Sequence, residues 1–304
     1  MVSLRTGTVV KAQTNLYEVR LDGEEQVILC ALRGRLRRQA GDVLTGDRVE
    51  VALQDGGAAI ERVLPRRNRL VRPPIANVDR VLLVQSLQEP DPVPILMDRV
   101  IVQAEAMDLP VVIAFTKLDR VARAPEDPLP GWAARLVEGY RLAGYPVHLL
   151  AAPRGWGVEG LAAALREGVT VVAGPSGAGK STLLNALQPG LNLATGEVSR
   201  KLGRGRHTTR FVELLPLAGG GWVADTPGFS KLELPELEPE ELGDLWPEIR
   251  RAAPGCRFRG CLHRSEPGCA VRAARDQGQI ASWRYQNYLV LLSEVEERLA
   301  ERYR

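Results

Sequence analysis

The chain has 304 residues, 45% of them hydrophobic and 25% charged, and carries a net charge of +3 at pH 7. That length suggests two or three domains, and the composition is that of a soluble globular protein rather than a disordered or fibrous one. No apolar run approaches the roughly 20 residues a membrane span needs, and Met1-Val2-Ser3-Leu4-Arg5 has no apolar signal core. The expected location is therefore the cytoplasm. A charge this modest confines any nucleic-acid contact to local clusters. Three of the four cysteines fall between 256 and 269. In a reducing compartment such clustering indicates metal rather than disulfides.

From residue 1 to about 65, short runs alternate polar and apolar side chains. They predict strands over Thr6–Lys11, Leu16–Leu21, Gln26–Leu32, Asp47–Leu53 and Ala58–Leu64. Turn signals at Thr14-Asn15, Asp22-Gly23, Gly41-Asp42 and Asp55-Gly56-Gly57 separate them. Five short strands in so little chain suit a small closed barrel, with an OB-fold as the leading candidate. Arg33-Gly34-Arg35-Leu36-Arg37-Arg38 places a local positive field between the third and fourth strands, suited to RNA backbone. Tyr17 is the one evident aromatic of this region, so base stacking has little support. Cys30 reads as a small core residue.

The Pro- and Arg-rich stretch Leu64–Pro74 marks a domain boundary. An alternating pattern follows: strand Val78–Gln85, helix Ile95–Met107, strand Pro110–Phe115, helix Trp132–Leu142, strand Val147–Leu150, helix Val158–Leu165 and strand Val169–Ala173. It predicts a mostly parallel sheet with helices on both faces. Thr116-Lys117-Leu118-Asp119 sits just past a strand, where ligand loops of such sheets belong. It matches the guanine-reading N-K-x-D with Thr in the Asn position. A carboxylate at Asp119 can accept from the guanine N1–H and 2-amino group, a donor pair adenine lacks, and the Lys117 stem can lie over the base. Ala151-Ala152, after the next strand, fits a small-residue loop whose backbone N–H meets guanine O6.

Gly174-Pro175-Ser176-Gly177-Ala178-Gly179-Lys180-Ser181 fits G-x-x-x-x-G-K-[ST]. It joins a strand to a helix predicted over Ser181–Leu187, with Thr182 in its first turn, so loop amides and helix dipole both favour phosphate. Lys180 would reach the β- and γ-phosphates, and the Ser181 hydroxyl would ligate Mg²⁺. Leu191–Arg210 is polar and basic, and reads as a switch in which Thr208 or Thr209 meets Mg²⁺. Strands over Phe211–Leu217 and Gly221–Ala224 lead to Asp225-Thr226-Pro227-Gly228. In this D-x-x-G, Asp225 would hold Mg²⁺ through water and the Gly228 N–H would sense the γ-phosphate. Ordinary GTPases place the base-reading motif last. Here it comes first, so the domain is circularly permuted and D-x-x-G runs straight into the C-terminal segment.

In that segment Cys256-x₄-Cys261-x-His263-x₅-Cys269 supplies three thiolates and one imidazole, a closed Cys₃His set for one structural zinc ion. Arg257, Arg259, Arg264, Arg272 and Arg275 surround it as a second basic surface. Helices are predicted over Glu238–Arg251 and Ile280–Arg302.

The order T-K-L-D, G-P-S-G-A-G-K-S, D-T-P-G, C-x₄-C-x-H-x₅-C behind a barrel resembles the bacterial RsgA (YjeQ/YloQ) family of circularly permuted GTPases over essentially the whole chain. The resemblance implies an N-terminal OB-fold β-barrel (1–66), a permuted P-loop GTPase domain (67–229) and a C-terminal helical zinc-binding domain (230–304). It implies binding to the 30S subunit and its 16S rRNA, subunit-stimulated hydrolysis of GTP to GDP and phosphate, and a role in late subunit maturation and factor release. It also implies zinc on Cys256, Cys261, His263 and Cys269. A monomer is expected. Thr116 departs from the usual Asn and Ala151 from the usual Ser. Phe229 stands where Ras-like enzymes carry a water-orienting Gln, so unassisted turnover should be slow. His207 is the candidate for orienting the water, with rRNA contact or packing as its other reading. Two rival functions are an RNA-binding scaffold without turnover and an ATP-dependent phosphotransferase; the Lys180, Ser181 and Asp225 set opposes the first and Asp119 the second.

Overall fold

Period-two alternation in the first sixty residues builds five strands, β1 (Ser3–Gln13), β2 (Leu16–Leu21), β3 (Val27–Leu32), β4 (Arg48–Gln54) and β5 (Gly57–Val63). They close a barrel in the order β1-β2-β3-β5-β4, antiparallel except where β3 runs parallel to β5. The computed structural model describes residues 3–13, 16–33, 43–54, 57–71, 73–191, 212–224 and 234–302. They fall into two compact units, one of Met1–Arg80, Ala162–Val172 and Leu184–Phe229, the other of Val81–Leu161, Ala173–Leu183 and Ser230–Arg304. Among the described residues no helix is long and apolar enough to cross a membrane.

The barrel core packs Val9, Val19, Cys30, Val49, Val51 and Ile60, all fully buried. Cys30 is the core residue its position suggested, and burial pushes its thiol up to about 11. Tyr17 is also buried in this core, which removes it as a stacking platform. Arg33 pairs with Glu61 at 2.8 Å, whereas Arg35, Arg37 and Arg38 lie outside the described residues.

The joint after the barrel is not a loose linker. It carries the short strands β6 (Arg69–Leu70) and β7 (Ile75–Ala76). Arg66 grips the buried Asp47 carboxylate through Nε at 2.6 Å and Nη2 at 2.8 Å. The Asn77 amide donates to the Gly46 carbonyl at 2.9 Å, and Asn68 exchanges hydrogen bonds with Val78 at 2.7 and 2.9 Å. Asp79 accepts from Arg67 at 2.6 Å and from the Val169 N–H at 2.7 Å. Proline and arginine mark a boundary by composition; of the partners that order the stretch, Asn68 lies within it, Asn77 and Asp79 just after it, and Asp47 in the turn before β4.

The α/β elements follow the predicted order: β8 (Arg80–Ser86), α1 (Pro94–Glu105), β9 (Val111–Thr116), α2 (Gly131–Ala143), β10 (Val147–Leu149), α3 (Val158–Ala164), β11 (Val169–Ala173) and α4 (Lys180–Leu187). In the second unit β8, β9 and β10 are parallel, with Val81 opposite Val111 and Val147 opposite Ile113. β9 is buried at every position, the reason it reads as one continuous apolar run. In the first unit β13 (Trp222–Ala224) runs parallel to β11, and β12 (Leu214–Pro216) pairs antiparallel with β13.

The helix expected over Glu238–Arg251 is broken into α5 (Pro239–Leu242), a 3₁₀ turn over Gly243–Leu245 and α6 (Pro247–Ala252). Pro247 offers no N–H to a preceding turn and holds Trp246 extended at φ −117°, ψ 101°. α7 (Ala270–Asp276), too short to leave a periodic signal, was not predicted; α8 (Ser282–Arg302) was.

α8 seats on the second unit through a buried ion cluster. The Arg284 guanidinium donates to Asp98 of α1 at 2.6 Å and to Glu248 of α6, all three nearly inaccessible. Asn287 and Tyr140 also donate to Asp98, at 2.7 and 3.2 Å, and the guanidinium lies 4.5 Å from the Trp246 ring and 5.1 Å from Tyr140. Two carboxylates share one cation, and burial pushes the Asp98 carboxyl up to about 6 against the pull of Arg284. A raised carboxyl favours the fold most when protonated: its contribution is full below about 4 and is lost as pH rises through about 6. Arg284→Leu strands both acids and is expected to cost about 3–5 kcal/mol in urea unfolding, more at pH 8 than at pH 5, because the orphaned carboxyls can protonate at the lower pH.

Candidate nucleotide site and metal centre

β11 ends in the glycine-rich loop, and α4 starts at Lys180. Gly174 has φ 138°, and a Cβ there would fall 2.0 Å from the Val84 carbonyl oxygen, so the loop can begin this close to Val84 only with glycine. Gly177 and Gly179 follow at φ 80° and 87°. Pro175, Ser176 and Gly177 are exposed, Ala178 is buried, and Ser181 is buried in the first turn of α4 next to Thr182. The Lys180 ammonium arcs back over the loop and donates to the carbonyls of Gly174 at 2.8 Å and Pro175 at 2.7 Å. A strand-to-helix turn with its cation folded over it has the layout of an anion cradle.

The T-K-L-D stretch meets this loop directly. Thr116, buried at the end of β9, donates its hydroxyl to the Ala178 carbonyl at 2.5 Å. The tether that the missing Asn put in question is thus made by a shorter side chain; Gly179 beside it is required by its φ of 87° rather than by space, since a Cβ there would be 3.4 Å from Thr116 Oγ1, an ordinary contact. Lys117 takes a left-handed backbone at φ 59°, which turns the chain into the 3₁₀ turn Leu118–Arg120. The Leu118 N–H donates to the Leu150 carbonyl at 2.9 Å, fixing the Asp119 turn against the end of β10.

Ala151 exchanges backbone hydrogen bonds with Trp156 at 3.1 and 3.2 Å, so its N–H is already committed. Of the pair Ala151-Ala152, only Ala152, half-buried at the start of the next 3₁₀ turn, keeps a candidate donor.

Sequence reasoning missed four neighbours, Glu89, Arg120, Arg154 and Trp156. Glu89 accepts from Lys117 Nζ through its carbonyl and from Arg120 through its carboxylate. Arg154 lies 3.8 Å from the Asp119 carboxylate and stacks 5.3 Å from the Trp156 ring. Gly155 and Gly157, at φ 72° and 69°, make that tight loop and are the only local signal for it. His207, Thr208, Thr209, Asp225, Gly228 and Phe229 lie outside the described residues.

The four C-terminal ligands converge. The donor atoms of Cys256, Cys261, His263 and Cys269 all lie within 4.8 Å of one another. His263 Nδ1 is 3.6 Å from Cys256 Sγ and 3.5 Å from Cys269 Sγ, and the two sulfurs are 4.0 Å apart. A tetrahedron with metal–sulfur bonds of about 2.3 Å and a metal–nitrogen bond of about 2.0 Å has edges of roughly 3.5–3.8 Å, close to the Cys256, His263 and Cys269 spacings, so a small contraction of the whole set around one ion closes it. Backbone N–H groups of Ala270 and Arg272 point at Cys256 and Cys269 sulfurs at 3.3 and 3.5 Å, which suits thiolates. The hydroxyls of Tyr285 and Tyr288 on α8 hold the His263 and Leu262 carbonyls at 2.6 and 3.1 Å.

The surrounding basic surface is narrower than the sequence suggested. Arg264 pairs with Glu296 and Arg275 with Asp276, each at 2.6 Å. Arg257 and Arg259 stay exposed beside an exposed Phe258.

Chelation is expected to release about one metal equivalent per chain and to lower the melting temperature of the C-terminal region, because in such sites metal binding is part of the folding free energy. Metal analysis paired with circular dichroism reads both.

Residues 63–235 match the model of the RsgA GTPase family, and residues 6–60 match the RsgA N-terminal domain. The "Small ribosomal subunit biogenesis GTPase RsgA" of Moorella thermoacetica is 46% identical over 290 residues, 95% of this chain and 97% of the relative. The protein of the same name from Geobacillus kaustophilus is 45% identical over 96% of this chain and 98% of its own length. Among solved structures, YjeQ from Thermotoga maritima aligns with a TM-score of 0.80 at 36% identity, covering 96% of this chain and 99% of that one. YloQ, a circularly permuted GTPase, aligns with 0.79 at 34% identity, covering 97% and 96%. The chain belongs to the RsgA GTPase family.

Proposed function

We propose that this GTP-hydrolysing enzyme acts on the small ribosomal subunit, with 16S rRNA as the surface it meets, and that it turns over GTP there during late subunit maturation and factor release. The observation that carries the site assignment is the Thr116–Ala178 hydrogen bond, which fastens a guanine-type reading loop onto a phosphate loop. The names of the relatives, small ribosomal subunit biogenesis GTPases, support the setting.

In this reading Gly174–Thr182 hold the phosphates. Lys180 leaves the carbonyls of Gly174 and Pro175 for the β- and γ-phosphate oxygens, an exchange of neutral acceptors for charged ones that favours the triphosphate. Asp119 reads the N1–H and 2-amino edge of guanine, Lys117 covers the base, and the Ala152 N–H meets O6. Arg154 must yield or slide when the base takes the Asp119 carboxylate. Mg²⁺ bound with GTP supplies charge neutralisation; Ser181, Thr208 or Thr209, and Asp225 through water are the residues that would hold it. The Gly228 N–H senses the γ-phosphate, and His207 orients the attacking water that Phe229 cannot. Zinc on the Cys₃His set is structural: four protein ligands leave no open position. The domains run 1–66, 67–229 and 230–304. The protein works as a cytoplasmic monomer.

Thr116→Val is expected to weaken GDP binding roughly tenfold, about 1.4 kcal/mol, by leaving the Ala178 carbonyl unpaired, without altering base choice. Asp119→Asn should instead move preference toward xanthosine nucleotides, whose 2-oxo group accepts from the amide. Equilibrium titration with both nucleotide series separates the two, and an Asp119→Asn protein that still prefers GDP would contradict the base-reading role.

Phosphate release measured with and without purified 30S subunits tests the enzyme and its partner together. Slow basal turnover, rising by at least roughly tenfold with subunits, is expected, since an ordering partner can contribute far more than that to a GTPase. His207→Ala should abolish the rise; an undiminished rise would reassign His207 to rRNA contact or packing.

A further inference from the structure

The hairpin β12–β13 is flanked in the chain by the two segments assigned to nucleotide sensing: Val212 directly follows 192–211, and Asp225 directly follows Ala224. The barrel holds this hairpin at three places. Thr45, 2% exposed, donates its hydroxyl to the Val212 carbonyl at 2.8 Å and accepts from the Ala12 N–H at 3.2 Å. Its own carbonyl accepts from the Ala76 N–H at 2.9 Å, so the same residue ties in the joint. One residue further on, Lys11 forms an antiparallel backbone bridge with Glu213, and its ammonium meets the Glu213 carboxylate at 3.0 Å. At the far strand, the Arg20 guanidinium of β2 lies 5.0 Å from the Trp222 ring of β13. The holding groups sit on β1, on β2 and in the turn before β4.

We infer that the barrel and the hairpin shift as one piece, and that Thr45 and Lys11 are positioning residues through which the barrel's contact with its RNA partner biases the nucleotide-sensing segments. The inference rests on the functional reading above. A ladder contact and a buried hydroxyl shared by two backbone groups cannot stretch: displacing the barrel against the hairpin would leave a buried carbonyl or N–H without a partner. The cheaper response is for the hairpin to follow. Such coupling is reciprocal: if barrel occupancy changes nucleotide affinity, nucleotide must change barrel affinity by the same factor. Thr45 is buried, so it can act on the partner only through what it holds.

The test uses the full chain with GTP and purified 30S subunits. Thr45→Val keeps the shape but removes both hydrogen bonds. Basal turnover and subunit affinity, measured by pelleting without nucleotide so that the coupling does not enter, should stay within about twofold, while subunit-stimulated turnover falls roughly fivefold or more, within the range of ordinary coupling factors. Thr45→Ser should restore it. Independently, Lys11→Glu and Glu213→Lys should each reduce stimulation and the double exchange should recover it, which keeps the question answerable if Thr45→Val folds poorly. Wild-type protein that subunits do not stimulate would remove the functional reading and this inference together. Stimulated wild-type with equally stimulated variants would overturn the coupling alone. Subunit affinity lost in step with stimulation, or an exchange that fails to recover it, would also overturn the coupling and leave a purely structural role.

Discussion

The second unit is built around a cation that has no access to water. Arg284 stands between Asp98 and Glu248, with Trp246 and Tyr140 against the guanidinium. Burying three ionisable groups is costly, and the cluster is tolerable only because each charge finds partners in place. This makes the position of α8 specific: its next residues, Tyr285 and Tyr288, hold the carbonyls beside the metal ligands from the same helix. One face of α8 is fastened to α1 and α6 and another to the Cys₃His turn. The Cys₃His cluster is therefore part of the same compact unit as the T-K-L-D and phosphate loops.

The T-K-L-D stretch and the phosphate loop are linked by the Thr116 hydroxyl. In the order of this chain, the base-reading stretch is made long before the phosphate loop, and only the fold brings Thr116 to Ala178. The glycines of the phosphate loop serve different ends: Gly174 lets the start of the loop approach the Val84 carbonyl, and Gly179 takes a positive φ next to Thr116. Substituting Thr for the usual Asn is compatible with the same tether because the acceptor is a backbone carbonyl, which any correctly placed donor can satisfy.

The barrel is more firmly tied to its surroundings than its composition implied. Asp47, Asn68, Asn77 and Asp79 convert a Pro- and Arg-rich stretch into a hydrogen-bonded joint, and Thr45 adds the hairpin to it. In the proposed mechanism, permutation would let D-x-x-G pass movement to the C-terminal segment through the chain itself, and the inferred hairpin coupling would add a second route through side chains.

What could be read without coordinates had local causes. The barrel strands, the β–α alternation and the phosphate loop announce themselves through periodicity and glycine spacing, and all were placed within a few residues of where they lie. The four metal ligands were legible because thiolates and imidazole have few other reasons to cluster. The break at Gly243 and Pro247 was visible in the residues but lost to a longer apolar pattern. The Arg154–Asp119 approach, the Arg284 cluster and the Thr45 contacts were not legible, since each depends on a partner tens to hundreds of residues away; the Ala151 N–H is taken by Trp156 only five residues on, in a tight turn whose pairing no periodicity announces. By itself the sequence determined which groups the chain carries: a phosphate-loop pattern, a T-K-L-D stretch and a Cys₃His set that could hold a metal ion. Only the tertiary structure decided which of those groups are free to act and which are tied to something else, because hydrogen-bond partners and burial are set by packing between distant segments rather than by spacing along the chain.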